Sequence, residues 1–102
     1  EFLNIYCAVA YPGTKLYDQA VKEGWKLPDS WSGYSHHAYD YQPLPTKYLT
    51  AEQVVAARDF TFYKYYTDRA TLTNLELQFG EPAVKQVKAM MDVKIKRKIL
   101  GD

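Results

Sequence analysis

Few residues of this chain are of a type that can do chemistry: the pair His36-His37, the single cysteine Cys7, the tripeptide Pro12-Gly13-Thr14 and a scatter of carboxylates. Imidazole is the commonest metal ligand and titrates near neutrality, so the histidine pair comes first. Adjacent residues in an extended segment point to opposite sides, and no other His and no Cys cluster lies nearby to complete a coordination shell. The pair therefore predicts no metal site. A general base needs a pocket and a partner, and Asp40, three residues beyond His37, is the one hint of such a partner. Cys7 has no basic neighbour to activate its thiol and reads as a small apolar core residue. Pro12-Gly13-Thr14 offers backbone amides and a hydroxyl to an anion at a helix start, which makes these three the candidate cofactor-binding residues. Alone, such a tripeptide is more often a turn that redirects the chain. Asp18, Glu23, Asp29 and Asp40 match no paired acid/base arrangement, and no nucleotide-binding glycine loop, zinc-protease helix or nucleophile elbow occurs. No catalytic residue and no metal ligand is assigned.

The elements that must position these residues begin with Ile5-Tyr-Cys-Ala-Val-Ala-Tyr11, an apolar, β-prone run of the kind found in a sheet covered on both faces. No other stretch repeats the pattern and can pair with it. The expected fold class is mostly α, with an orphan N-terminal β-strand, the end of a truncated α/β barrel, followed by a helical C-terminal domain. Residues 1–24 hold that strand and a first helix, capped by Thr14, with Leu16, Tyr17, Ala20 and Val21 on one face and Gly24 as its stop. Residues 25–49 lose all periodicity and form an irregular arm, punctuated by Pro28, Gly33, Pro43 and Pro45 and rich in Trp and Tyr. Irregular stretches of roughly 25 residues tend to be lids, wrapping arms or linkers, and the aromatic content excludes a flexible linker. Residues 50–102 resume with a capping box, Thr50 to Gln53, and a helix through Tyr66 that is apolar around most of its circumference. Arg58 and Asp59 are its polar exceptions, on an exposed strip or paired. A break near 68–71 leads to a short helix with Leu72, Leu75 and Phe79 on one face and Gly80 as its stop. Pro82 opens a last helix striped by Val84, Val87, Met91, Ile95 and Ile99.

Composition limits the function further. A net charge of +1 excludes a nucleic-acid binder driven by bulk electrostatics. The local excess of Lys85, Lys88, Lys94, Lys96, Arg97 and Lys98 over Asp92 reads as solvated cations offsetting a helix dipole, or else as a contact with a partner or anionic ligand. One cysteine excludes an internal disulfide, and no run of about 20 apolar residues spans a membrane. The expected compartment is the cytoplasm. The chain opens almost in mid-strand, as a fragment of a larger protein does.

The segment Asn4-Ile-Tyr-Cys-Ala-Val-Ala-Tyr-Pro-Gly-Thr-Lys-Leu-Tyr-Asp18, with Gly24-Trp25, Trp31-Ser-Gly-Tyr34, Pro43-Leu-Pro-Thr46, Arg58-Asp59, Phe79-Gly80 and Lys96-Arg97-Lys98, resembles the C-terminal end of cobalamin-binding radical S-adenosylmethionine proteins. These include proteins described as magnesium-protoporphyrin monomethyl ester oxidative cyclases or Fe-S oxidoreductases. The likeness runs over nearly the whole chain. The Pro-Gly-Thr turn is common to many radical enzymes, and the stretch from Trp31 to Thr46 points to the cobalamin-linked branch. The resemblance implies a full-length enzyme with a 4Fe-4S cluster, S-adenosylmethionine and cobalamin, whose N-terminal barrel and cobalamin domain are the partners of this fragment. The three-cysteine cluster motif and the Asp-x-His-x-x-Gly cobalamin pattern are both missing from these residues, so the fragment itself holds none of those cofactors.

Three functions follow as expectations. In the first, the fragment is a structural and substrate-side cap, not catalytic in isolation, with Trp31, Tyr34, His36 and His37 on the arm that lies across the barrel mouth. In the second, the helical part is a protein-interaction module without an enzymatic role. In the third, the basic final helix contacts nucleic acid or an anionic membrane, a reading the charge balance disfavours. An exposed Ile5–Tyr11 edge implies a homodimer through the N-terminal strand, or a segment folded against the helices.

Overall fold

The structure is a computed structural model that describes residues 2–102. Four α-helices run in chain order: α1 (Lys15–Glu23), α2 (Ala51–Thr67), α3 (Arg69–Phe79) and α4 (Glu81–Met91), with 3-10 turns at Trp31–Tyr34 and Lys98–Leu100. The helix starts follow local chemistry. The Thr14 hydroxyl accepts from the Tyr17 N–H to open α1, and Asp68 does the same for Thr71 at the start of α3. The Thr50 hydroxyl accepts from the Gln53 N–H at 3.2 Å while the Gln53 side chain accepts from the Thr50 N–H at 2.9 Å, the reciprocal box expected ahead of α2. Gly24 ends α1 in the left-handed region that an L side chain enters only at a cost.

The chain divides into two compact units, with the division inside α2 between Arg58 and Asp59. The first comprises the segment up to Ile5 together with Asp59–Lys94. Its core is Tyr66, Leu75, Val84 and Val87, with Leu72 and Met91 packed alongside. The second unit comprises Tyr6–Arg58 and Ile95–Asp102. It has two small cores, one of Val9, Tyr41 and Val55 and one of Ala10, Ala20 and Leu44. Each unit draws on segments from both sides of residue 49.

No strand is present among the described residues, which overturns the orphan N-terminal β-strand expected at Ile5–Tyr11 and with it the reading of that segment as a barrel end. The run is extended and keeps the period of two, with Phe2, Asn4, Tyr6 and Ala8 exposed and Leu3, Ile5, Cys7 and Val9 drawn inward. A ladder requires a second β-prone run, and the chain has none. Its polar groups therefore find single partners. In the first unit the Tyr66 hydroxyl accepts from the Leu3 N–H and donates to the Leu3 carbonyl, both at 2.7 Å. In the second, the Leu44 N–H donates to the Ala8 carbonyl at 2.9 Å.

One further expectation needs correction and another is narrowed. The last helix stops at Met91, so Ile95 and Ile99 lie outside it. The reason is tertiary: the Arg97 N–H donates to the Asp102 carboxylate and the Lys98 N–H to the Tyr39 carbonyl, both at 2.8 Å, where a continued helix would bond each to the carbonyl four residues back. Of the two placements expected for Arg58, burial at 6% exposure rules out the exposed strip and leaves the paired one, with Val55 of the same helix entirely buried.

Candidate functional site

The arm at residues 25–49 is built around a 3-10 turn and one buried glycine. A Cβ on Gly33 would stand 2.5 Å from the Pro28 Cβ and 3.2 Å from the Asp40 carbonyl oxygen, so only glycine lets these strands of loop approach. The Gln42 N–H closes the loop onto the Gly33 carbonyl at 2.9 Å. Ser30 and Ser32 flank Trp31 and both donate to the Asp40 carboxylate, at 3.0 and 2.6 Å. The Ser32 hydrogen bond foremost, and then that of Ser30, holds the Asp40 carboxyl below its ordinary value.

His36 is the node of the arm. Its Nδ1 lies 2.9 Å from the Tyr41 hydroxyl and its Nε2 lies 3.4 Å from the Tyr11 hydroxyl. The ring packs on Tyr6 with centroids 4.5 Å apart. Burial first, then the charges of His37, Arg58 and Arg97, lowers the pKa of His36 from the usual 6.5. The Arg97 Nη1 donates to the His36 carbonyl at 2.7 Å and to the Ala38 carbonyl at 3.3 Å, and its guanidinium sits 5.3 Å from the Tyr41 ring centre. Tyr41 is buried, and burial above all, followed by Cys7, raises its phenol far above the ordinary value.

Around this node the aromatic rings form a row, exposed at Trp31, Tyr11 and Tyr6 and half-buried at Tyr34. Tyr11 stacks on Tyr34 at 5.8 Å and Tyr34 meets Trp31 at 5.9 Å. Trp31 is 78% exposed, Tyr6 58% and Tyr11 45%, although each touches another ring of the row. Such a face can stack on a flat or apolar surface and place a few phenols at its edge. It is a poor general-base site, because the groups bonded to the His36 ring are phenols and no carboxylate orients it. An open cleft of about 310 Å³ lies elsewhere in the same unit, with Lys26 and Lys98 set against Asp29, Asp40 and Glu52 on its lining and Tyr41 among them. Its mixed charge favours no ligand of a single sign.

The residues singled out in the sequence divide clearly. Trp31, Tyr34 and His36 share the face, while His37 is exposed beside it. Among the described residues no three His, Cys, Asp or Glu side chains are grouped so as to hold a metal ion. In the Pro12, Gly13, Thr14 turn, the Thr14 hydroxyl donates to the Tyr11 carbonyl at 2.7 Å and accepts from the Tyr17 N–H at 3.2 Å, so it is engaged within the chain itself. Cys7 packs against the core of Val9, Tyr41 and Val55, its thiol 3.9 Å from the Val54 carbonyl. Residue-type reasoning missed Tyr6, Tyr11, Tyr41 and Arg97. The alternation along residues 2–9 was the available signal for Tyr6, whereas Arg97 sits in a lysine-rich run that gives no sign of burial. No helix among the described residues is long and apolar enough to cross a membrane. No family model, no curated protein and no solved structure matches the chain.

Proposed function

We propose that this chain is the C-terminal part of a radical S-adenosylmethionine enzyme of the cobalamin-binding, cyclase-like branch, where it serves as a substrate-side cap and supplies no catalytic group. The reading is supported in sequence by the motifs from Asn4 to Lys98 that resemble that branch. The observation that carries it is the row of rings Trp31, Tyr34, Tyr11, His36 and Tyr6, in which Trp31, Tyr11 and Tyr6 are exposed and Tyr34 and His36 half-buried, supported by Tyr41 and Arg97. An apolar face of this kind is stable in water only at a cost and gains when covered. Radical intermediates need solvent kept away from them, and a ring-lined face laid across the mouth of a barrel meets both needs. The 4Fe-4S cluster, S-adenosylmethionine and cobalamin belong to the upstream domains. In the full-length enzyme, Trp31→Ala with Tyr34→Ala raises the S-adenosylmethionine cleaved per product formed several-fold. An unchanged ratio would remove the basis for the cap.

A second reading, an interaction module, is favoured by the exposed Phe60, Tyr63, Leu77 and Phe79 of the first unit. There, Phe60→Ser with Tyr63→Ser abolishes association with the partner protein and leaves the coupling ratio unchanged.

A further inference from the structure

We propose that the cleft of the second unit binds a small zwitterion with an apolar body, of the class of a free apolar α-amino acid, its carboxylate against Lys26 and Lys98 and its ammonium against Asp29, Asp40 and Glu52. Four stretches of chain meet there: the start of the arm, its later part at residues 40–42, the first turn of α2 and the C-terminal 3-10 turn. At about 310 Å³ the cleft stands at the lower end of ligand pockets, which run roughly 300–1,000 Å³. The ligand is therefore small.

Charge without pairing is the observation that points to a ligand. Two lysines and three carboxylates share the lining, yet among the described residues the side chains of Lys26, Asp29, Glu52 and Lys98 make no hydrogen bond and no ion pair. Their backbones are fixed elsewhere. The reciprocal box of Thr50 and Gln53 sets the helix turn that carries Glu52, and the Lys98 N–H is tied to the Tyr39 carbonyl at 2.8 Å. Asp40 is already held by Ser30 and Ser32, but both bonds fall on Oδ2, so Oδ1 accepts from no side chain. Lys98 is near enough that its charge, behind the Ser32 hydrogen bond, helps keep the Asp40 carboxyl low. Opposite charges thus face a common space without closing on each other. A ligand of one sign meets repulsion from part of this lining, whereas a zwitterion finds an opposite charge for each end. Leu27, Pro28 and Ile99, half-buried, and the buried Tyr41 complete the lining and suit an apolar side chain. Exposed charges add little singly, so selection comes from holding both ends at once.

The full chain is titrated with L-phenylalanine as the probe and followed by NMR amide shifts. L-phenylalaninamide, which keeps only the ammonium, and N-acetyl-L-phenylalanine, which keeps only the carboxylate, are the comparison ligands. Phenylalanine shifts the amides of Lys26, Asp29, Gln42, Glu52 and Ile99 saturably and binds several-fold more tightly than either. Lys26→Gln with Lys98→Gln weakens phenylalanine several-fold and leaves phenylalaninamide no weaker, while Asp29→Asn with Glu52→Gln weakens phenylalanine and leaves N-acetylphenylalanine no weaker. These four side chains bond nothing within the chain, so both variants keep the wild-type melting temperature. Where a variant fails to fold, the three ligands on the wild-type chain decide. No saturable shift, shifts confined to residues outside the cleft, or unchanged affinity in both variants overturns the proposal. Equal binding of N-acetylphenylalanine overturns it in favour of a site for a peptide C-terminus, and equal binding of phenylalaninamide in favour of one for an N-terminus.

Discussion

Tyr66 and Arg97 each hold a stretch of backbone that has no secondary structure of its own. The Tyr66 hydroxyl satisfies both polar groups of Leu3, so Tyr66→Phe leaves a part-buried donor and acceptor unpaired and costs the first unit about 1–3 kcal/mol in urea unfolding. Arg97, with 0% exposure, gives its guanidinium to two arm carbonyls. Arg97→Met removes charge-assisted bonds each worth about 1.5–3 kcal/mol and lowers the melting temperature of the second unit. His36 adds a pH term to that stability. Its folded pKa is lowered, so the unfolded state binds more protons below the ordinary histidine value, and stability declines as pH falls through that range. Thermal melts of His36→Gln lose that slope. None of these roles was legible in residue type. A tyrosine among ten and an arginine among lysines become special only through partners distant in sequence, sixty-three residues away for Tyr66 and sixty-one for Arg97.

Helix starts were legible at the scale of the element because a cap is a local event. Thr14 and Thr50 with Gln53 each bond within three residues, so the signal and its consequence lie in one short window; Asp68 caps α3 in the same way, where the sequence reading placed a break over 68–71. The two elements misread in sequence are those decided elsewhere. The extended run at Ile5–Tyr11 has the composition of a strand, but a ladder depends on a second run, and in its place the Tyr41 hydroxyl bonds the Cys7 carbonyl and the Leu44 amide the Ala8 carbonyl. α4 ends at Met91 with no glycine or proline to stop it, because the following segment is bound to the arm. In the arm, Gly33 reads in sequence as punctuation and in space as a close-packing point. Gly33→Ala forces its Cβ onto Pro28 and costs about 1–3 kcal/mol of stability, seen as a lower melting temperature and an earlier change in tryptophan fluorescence.

The whole molecule spends its aromatic residues in two ways. Tyr41 and Tyr66 anchor cores, whereas Trp31, Tyr6 and Tyr11 remain open to solvent in an organised row. The helices were legible from capping and periodicity, but the expected fold class was overturned, because no strand forms among the described residues. The face was not legible, because it joins residues 6 and 11 to residues 31–36 across a loop with no repeating pattern. A cap that shields radical chemistry makes one demand above others: removing the rings must waste the radical without stopping its formation. The most direct measurement is the ratio of S-adenosylmethionine cleaved to product formed by the full-length protein carrying Trp31→Ala and Tyr34→Ala. The cap function requires that ratio to rise several-fold while cleavage itself persists, and a ratio equal to that of the wild-type protein would contradict it.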